Sequence, residues 1–330
     1  MRIAVRLPNW LGDTVMAVPA IRSIREALPE AHLLLAGPWV DLLAGQGLGD
    51  VLVGYPRSWS GRLRVADTVR DFASDTVVLF PNSLEAAAAA MYWGGRRRIG
   101  FALDGRRWLL SDALPLPSPR LHQVDEYLQL AACLGARATA REPRLQAPEP
   151  RAETRQRVRA LLRESGVVEG KPLVGVHLGA AYGPAKTWAH ERVVEFCRRA
   201  PARGVAPVLL GAPSDTSAAN DVLREVSAVS LVGRDSPALL TAVLTEIAVL
   251  VSGDTGVAHL AAALGTPVVT LFGPTDPSLS APLGGGAVVR HPVPCAPCFY
   301  RTCPIDHPCM RGILAETVGD EVDALLAGTT

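Results

Sequence analysis

Short apolar runs alternate with longer amphipathic stretches along the whole chain. In the first half, Ile3 to Leu7, His32 to Ala36, Val51 to Tyr55 and Thr76 to Phe80 each have the length and apolar content of a buried strand. Between the first two, Val15, Val18, Ile21, Ile24 and Leu28 recur at helical spacing, and Pro29 closes that helix. Helical segments separate the other runs. This alternation predicts an α/β protein whose parallel sheet carries helices on both faces.

The stretch Arg141 to Arg151, REPRLQAPEPR, is polar and Pro-rich and reads as a linker. A charged helix, Ala152 to Glu164, follows, and then the alternation restarts. Strands are expected at Leu173 to Leu178, Pro207 to Leu210, Ser230 to Val232, Ala248 to Val251 and Val268 to Phe272. Helices are expected at Glu191 to Arg199, Pro237 to Ile247 (with Ser236 as its cap), Val257 to Leu264 and Leu314 to Leu326. Two domains result, 1–150 and 151–330, the last helix reaching back across the boundary.

The run Val249 to Asp276 concentrates the chemistry. A strand ends in Ser252-Gly253-Asp254-Thr255-Gly256, a helix starts there, and the next strand ends in Gly273-Pro274-Thr275-Asp276. Polar turns where parallel strands end are where open α/β sheets bind ligands. A helix N-terminus there suits a phosphate, and Gly253 and Gly256 allow close backbone approach. His259 lies one turn into the helix. The competing reading is that Asp254 or Thr255 caps the helix.

Composition narrows the partners. The chain has 330 residues and net charge +1, so no overall attraction to nucleic acid is expected. Arginine carries nearly all the positive charge, since Lys171 and Lys186 are the only lysines. No signal peptide is expected, since Arg2 to Leu7 already reads as a strand. Ala86 to Met91 is too short for a membrane span, and Glu246 interrupts the run Leu239 to Val251. A cytoplasmic protein without structural disulfides is expected.

Several further residues have two readings each. Asp13, after the first strand, is a first-turn acid or a carboxylate aimed into a cleft as a general base. No G-x-G-x-x-G follows that strand, which argues against a dinucleotide oxidoreductase. After strand four, Ser83 is a helix cap and Asn82 is expected to face the cleft. Arg96-Arg97-Arg98 and Arg106-Arg107-Trp108 flank a strand at Ile99 to Leu103. They are solvated surface, or contacts for an anionic substrate or anionic headgroups. The loop Gly179 to Lys186 is rich in small residues and ends in a cation, as a phosphate loop would, without Walker spacing. Asp215 either accepts from ribose hydroxyls or caps a helix. Cys295, Cys298, Cys303 and Cys309 have a spacing that suits zinc or an iron–sulfur cluster; reduced thiols or an occasional disulfide in a surface loop are the other reading. Cys133 and Cys197 read as buried side chains.

Taken together, Trp10-Leu11-Gly12-Asp13, Pro81-Asn82-Ser83, Gly183-Pro184-Ala185-Lys186 with Trp188, Asp254-Thr255-Gly256 with His259, and Gly273-Pro274-Thr275-Asp276 stand in family order over most of the chain. They resemble the ADP-heptose:lipopolysaccharide heptosyltransferases of glycosyltransferase family 9, and most of all the heptosyltransferase II type. The resemblance implies a GT-B fold: two Rossmann-like parallel-sheet domains facing a central cleft, the first on the acceptor side and the second binding the nucleotide sugar. It implies inverting transfer of heptose from ADP-heptose to the lipopolysaccharide inner core (lipid A–Kdo), without a metal cofactor. Asp13 corresponds to the base and Lys186 to the cation on the leaving diphosphate. Gly183, Asp215, Asp254, Thr255, Gly256 and His259 fall on the donor side, and Asn82 and Arg97 on the acceptor side. Peripheral contact with the inner face of the inner membrane is expected. The four-cysteine loop departs from the heptosyltransferase II pattern and leaves acceptor and sugar open. The rival readings are a family 9 transferase with another donor, a nucleotide-sugar epimerase of the same architecture, and a metal- or redox-sensing protein built on the late cysteines.

Overall fold

A computed structural model describes residues 1–147, 151–167, 170–234 and 237–328. The expected cap Ser236 and linker residues 148–150 lie outside the described residues. The chain divides into two compact units, Met1–Leu145 and Gln146–Thr330. The division falls inside the Pro-rich stretch, a little ahead of the expected boundary.

Unit 1 contains β1 (Arg2–Arg6), β2 (His32–Gly37), β3 (Val51–Gly54), β4 (Thr76–Leu79), β5 (Arg97–Phe101) and β6 (Asp112–Leu114). They form one parallel sheet in the order β3-β2-β1-β4-β5-β6. Unit 2 contains β7 (Leu173–His177), β8 (Ala206–Leu210), β9 (Val229–Ser230), β10 (Val249–Gly253), β11 (Val268–Phe272) and β12 (Gly286–Arg290). Its sheet is also parallel, in the order β12-β11-β10-β7-β8-β9. The two orders are the same path written in opposite directions. Each has one switch point, between β1 and β4 in unit 1 and between β7 and β10 in unit 2. At such a point the crossovers diverge to opposite faces and leave a crevice at the carboxyl ends of the strands.

The central strands are apolar because helices cover both faces of each sheet. Every residue of β4, β10 and β11 is buried. Val77, Leu79, Ala86, Ala90 and Trp93 belong to one core, and Val176, Leu209, Val251, Leu271 and Met310 to the other.

Three differences from the sequence reading bear on the site. The edge strands β6 and β12 are additional. The stretch expected to form one helix from Val15 is two, Leu11–Met16 and Val18–Ala27, separated at Ala17. Pro19 has no N–H to continue the first helix and opens the second instead. Asp13 consequently sits in the first turn of a short helix rather than in a loop. The last helix, Ala315–Gly328, packs against helix His190–Arg199 and strands β10 to β12 of its own unit. Arg203 fastens it through Asp320 at 2.8 Å and through Asp323. No helix among the described residues is long and apolar enough to cross a membrane.

Candidate functional site

The loops at the switch point of unit 2 follow β7 and β10. The first runs from Gly179 to Lys186 and ends in a single turn, Pro184–Lys186. Lys186 is not a surface lysine. Its Nζ lies 2.5 Å from Asp254 Oδ2, and the two side chains are 11% and 6% exposed. The Thr275 hydroxyl donates to the same carboxylate oxygen at 2.8 Å. His259 Nε2 stands 3.9 Å from Asp254 Oδ1. Neither Asp254 nor Thr255 caps the helix Gly256–Ala263: Thr255 occupies the cap position without a side-chain bond to it, and its hydroxyl meets Ser252 Oγ at 3.0 Å. Asp254 is therefore committed to the lysine, and the first N–H groups of the helix have no side-chain cap.

Glycine makes this approach possible at two places. A Cβ on Gly253 would stand 2.4 Å from the Lys186 carbonyl oxygen, so only glycine lets the two loops meet. Gly183 has φ +152°, and a Cβ there would stand 2.4 Å from the Arg301 carbonyl oxygen. That carbonyl accepts from the Ala185 N–H at 3.1 Å, and the Phe299 carbonyl accepts from the Tyr182 hydroxyl at 2.5 Å. The cysteine-bearing loop thus braces the lysine loop. The Tyr182 ring carries two cations, with Lys186 Nζ 4.6 Å and Arg301 Cζ 5.2 Å from its centroid. Tyr182, Thr275 and Arg301 had no role in the sequence reading. Tyr182 and Thr275 stood in the right motifs, but the contact with residue 301 is non-local.

Asp215 stands at the end of β8, with its carboxylate accepting from the Ala212 N–H at 2.8 Å. It fills the room left by two glycines, since a Cβ on Gly179 or Gly211 would lie 2.2 or 2.8 Å from its Oδ2. It does not cap the helix Thr216–Glu225 through its side chain. Beside it, burial drives the His177 pKa down to about 4, against the opposing charge of Asp215. The His177 Nδ1 has no hydrogen-bond partner.

The switch point of unit 1 gathers the residues after β1 and β4. Asp13 is partly buried, next to Tyr127 of the helix Gln123–Ala132. Burial, and then the charge of Asp13, raise the Tyr127 phenol well above its usual range, so it stays neutral. The loop before Asp13 is clamped. The Asn9 carbonyl accepts from Trp39 Nε1 at 3.2 Å and from Arg57 Nε at 2.9 Å, and the Arg57 guanidinium lies 4.5 Å from the Trp10 ring centroid. After β4, the Ser83 hydroxyl caps its helix by accepting from the Ala86 N–H at 3.2 Å. Asn82 stands on the same edge, and its Oδ1 accepts from Arg106 at 3.1 Å.

Two readings of the arginine runs need correction. Arg106 is fully buried rather than solvated; it donates to the Phe101, Pro81 and Ser83 carbonyls at 2.9, 2.5 and 3.2 Å. Arg6 is its counterpart on β1, buried, stacked 4.5 Å from the Tyr55 centroid and bonded to Asn9 Oδ1 at 2.7 Å. Burial lowers both guanidinium pKa values to about 10. Arg97, expected on the acceptor side, begins β5 and so lies at the amino edge of the sheet, away from Asp13. It is held by Asp112 at 2.6 Å and by the Cys133 carbonyl at 2.8 Å. A run of arginines in sequence does not distinguish a cation tied to carbonyls from one facing water.

All six cysteines are free thiols. Cys197 and Cys309 are buried, Cys133, Cys298 and Cys303 partly so, and Cys295 is exposed. Burial pushes Cys197 up to about 12. Among the described residues no group of three or more His, Cys, Asp or Glu is arranged to hold a metal ion.

The model of glycosyltransferase family 9 (heptosyltransferase) matches residues 62–308. Lipopolysaccharide heptosyltransferase 2 of Escherichia coli is 27% identical over 316 residues, covering 88% of this chain and 87% of that one. The Salmonella typhimurium protein of the same name is 26% identical over 317 residues, with coverage of 88% and 87%. The solved structure of E. coli ADP-heptose LPS heptosyltransferase II superimposes with a TM-score of 0.83 at 24% identity, over 100% of this chain and 99% of that one. E. coli heptosyltransferase WaaC with ADP superimposes with a TM-score of 0.72 at 18% identity, over 98% and 100%. The GT-B fold expected from the motifs is therefore the fold of this chain, and the chain belongs to glycosyltransferase family 9, the heptosyltransferases.

Proposed function

We propose that this enzyme transfers heptose from ADP-heptose to the inner core of lipopolysaccharide, with inversion at the anomeric carbon. The observation that carries the reading is the buried Lys186–Asp254 pair with Thr275 and His259 at the switch point of unit 2. A desolvated cation beside a helix N-terminus is what a leaving diphosphate needs. The names of the relatives supply the sugar and the acceptor. Asp13 takes the proton of the acceptor hydroxyl as that oxygen bonds to the anomeric carbon. The bond from that carbon to the diphosphate breaks on the opposite side. ADP leaves with the electron pair, and Lys186 offsets the charge it gains. Asp13 then returns its proton to water. Gly183, Gly256 and Thr255 bring backbone and a hydroxyl to the donor phosphates, and Asp215 takes the ribose. Asn82 lines the acceptor side, held there by Arg106. The acceptor's acyl chains make peripheral contact with the inner membrane part of the reading.

The test is ADP release from ADP-heptose with and without a heptose-deficient core acceptor, with the anomeric configuration of the product read by NMR. ADP release that requires acceptor, with inverted product, is the expected result. Isomerisation of the sugar nucleotide without acceptor would instead establish an epimerase, and release from a different sugar nucleotide alone would change the donor.

A further inference from the structure

The loop after β12 reaches back to the lysine loop at two points. The Arg301 carbonyl accepts from the Ala185 N–H, one residue before Lys186, and the Phe299 carbonyl accepts from the Tyr182 hydroxyl. Gly183 lets the two loops close, since a Cβ there would stand 3.1 Å from the Arg301 Cβ as well as 2.4 Å from its carbonyl oxygen. These backbone contacts fix where the Arg301 side chain starts. Its guanidinium then lies over the Tyr182 ring, with Cζ 5.2 Å from the centroid, and the Lys186 ammonium lies 4.6 Å from the same centroid.

The two cations differ in what holds them. Lys186 is nearly buried and paired with Asp254, whose carboxylate also serves Thr275. Arg301 is exposed, and among the described residues its side chain makes no ion pair and no hydrogen bond. An exposed ring face holds a cation weakly, and two like charges beside one ring repel. Of Lys186, Arg301 and Asp254, one positive charge is left without a partner. The brace does not explain a guanidinium here, because it uses the backbone carbonyl, which any residue supplies. Arg301 also lies outside every motif of the sequence, between Cys298 and Cys303.

We infer that Arg301 is a second cation for the diphosphate of the sugar-nucleotide donor, working beside Lys186. The inference deepens the proposed transfer and rests on that reading for the identity of the donor. A diphosphate spreads its charge over two phosphorus centres, so it can meet two cations set beside one ring, as a single carboxylate cannot. The guanidinium fork matches phosphate oxygens in a way an ammonium does not. When the bond from the anomeric carbon to the diphosphate breaks, the electron pair goes to the leaving oxygen. Arg301 shares with Lys186 the charge gathered there, and it transfers no proton.

The experiment is calorimetry of the full chain with ADP and with adenosine, together with turnover at saturating ADP-heptose, for wild type, Arg301→Gln and Arg301→Lys. Arg301→Gln is expected to lower ADP affinity about ten-fold or more and to leave adenosine affinity unchanged. Its ADP affinity should also fall less steeply with salt than that of wild type. Turnover should drop about ten-fold or more, because the charge is needed most as the diphosphate leaves. Arg301→Lys should recover part of both losses, since it restores the charge without the fork. The melting temperature should hold in both variants, because the backbone brace is intact. Equal ADP affinity and turnover in wild type and Arg301→Gln would overturn the inference. So would an equal loss for ADP and adenosine, or a lowered melting temperature with Arg301→Lys no better than Arg301→Gln, which would make the side chain a prop for the loop. Selective loss of ADP affinity in Arg301→Gln, in a protein whose wild type transfers no heptose, would sink the proposed function alone. Acceptor-dependent heptose transfer that Arg301→Gln leaves unaltered would sink the role of Arg301 alone.

Discussion

The two units share a strand order but handle positive charge differently at their switch points. In unit 1 the buried cations are Arg6 and Arg106, and each ends on backbone carbonyls and an asparagine oxygen. Those partners are neutral parts of the fold, and nothing from solution competes well for a guanidinium so enclosed. In unit 2 the buried cation is Lys186, held by the Asp254 carboxylate, which the Thr275 hydroxyl also bonds, and by the Tyr182 aromatic face. An incoming phosphate can take over from a carboxylate. One unit uses buried charge to fix its loops, and the other keeps a charge that can change partners.

Four experiments break or sharpen this contrast. The largest effect is expected for Asp13→Asn, which should lower transfer by about three orders of magnitude, the middle of the range for a general base, and leave ADP affinity nearly intact. Acceptor-saturated turnover and ADP calorimetry measure the two sides separately. Lys186→Ala should lower turnover about 100-fold and also weaken ADP, because in the proposed mechanism the same cation meets ground state and leaving group. It also strands a buried carboxylate, so Lys186→Ala with Asp254→Asn should recover thermal stability without recovering activity. Arg106→Ala should do the reverse: denaturant titration should show a loss of about 3 kcal/mol, from carbonyls left unpaired, while the folded fraction still binds ADP.

The smallest effect is a pH dependence of unit 2. The folded state holds His177 at a pKa of about 4, below the ordinary imidazole value of 6.5. Between these values the unfolded chain binds a proton that the folded chain does not, so the neutral ring's contribution is complete above pH ~6.5 and is lost as pH falls towards ~4. Melting temperature should drop through that window, and His177→Gln should flatten the drop.

The parallel sheets were legible because buried strands such as β4 and β11 are apolar throughout, and glycine and proline punctuate their ends. β6 and β12 were not. They are edge strands, one only three residues long, the other following Gly284 and Gly285, and neither is apolar on both faces. The lysine loop, the turn at Asp254 and the Asp13 position were readable from strand–turn–helix context. Their bonding was not. A cap stayed open as the rival reading of Asp254 because a cap is a local property, whereas its partners lie 68 and 21 residues away. The arginine runs failed for the same reason, since burial of Arg106 and the pairing of Arg97 depend on which carbonyls the sheet brings near.

The brace between Gly183, Ala185 and Arg301 has a practical consequence. The segment that carries Lys186 owns a single helical turn and borrows its stiffness from a stretch more than a hundred residues downstream, as the Tyr182–Phe299 separation of 117 shows. If Lys186 holds the donor as proposed, an engineer who trims or swaps the region around Phe299 and Arg301 alters the nucleotide grip although the edit touches none of the motif residues.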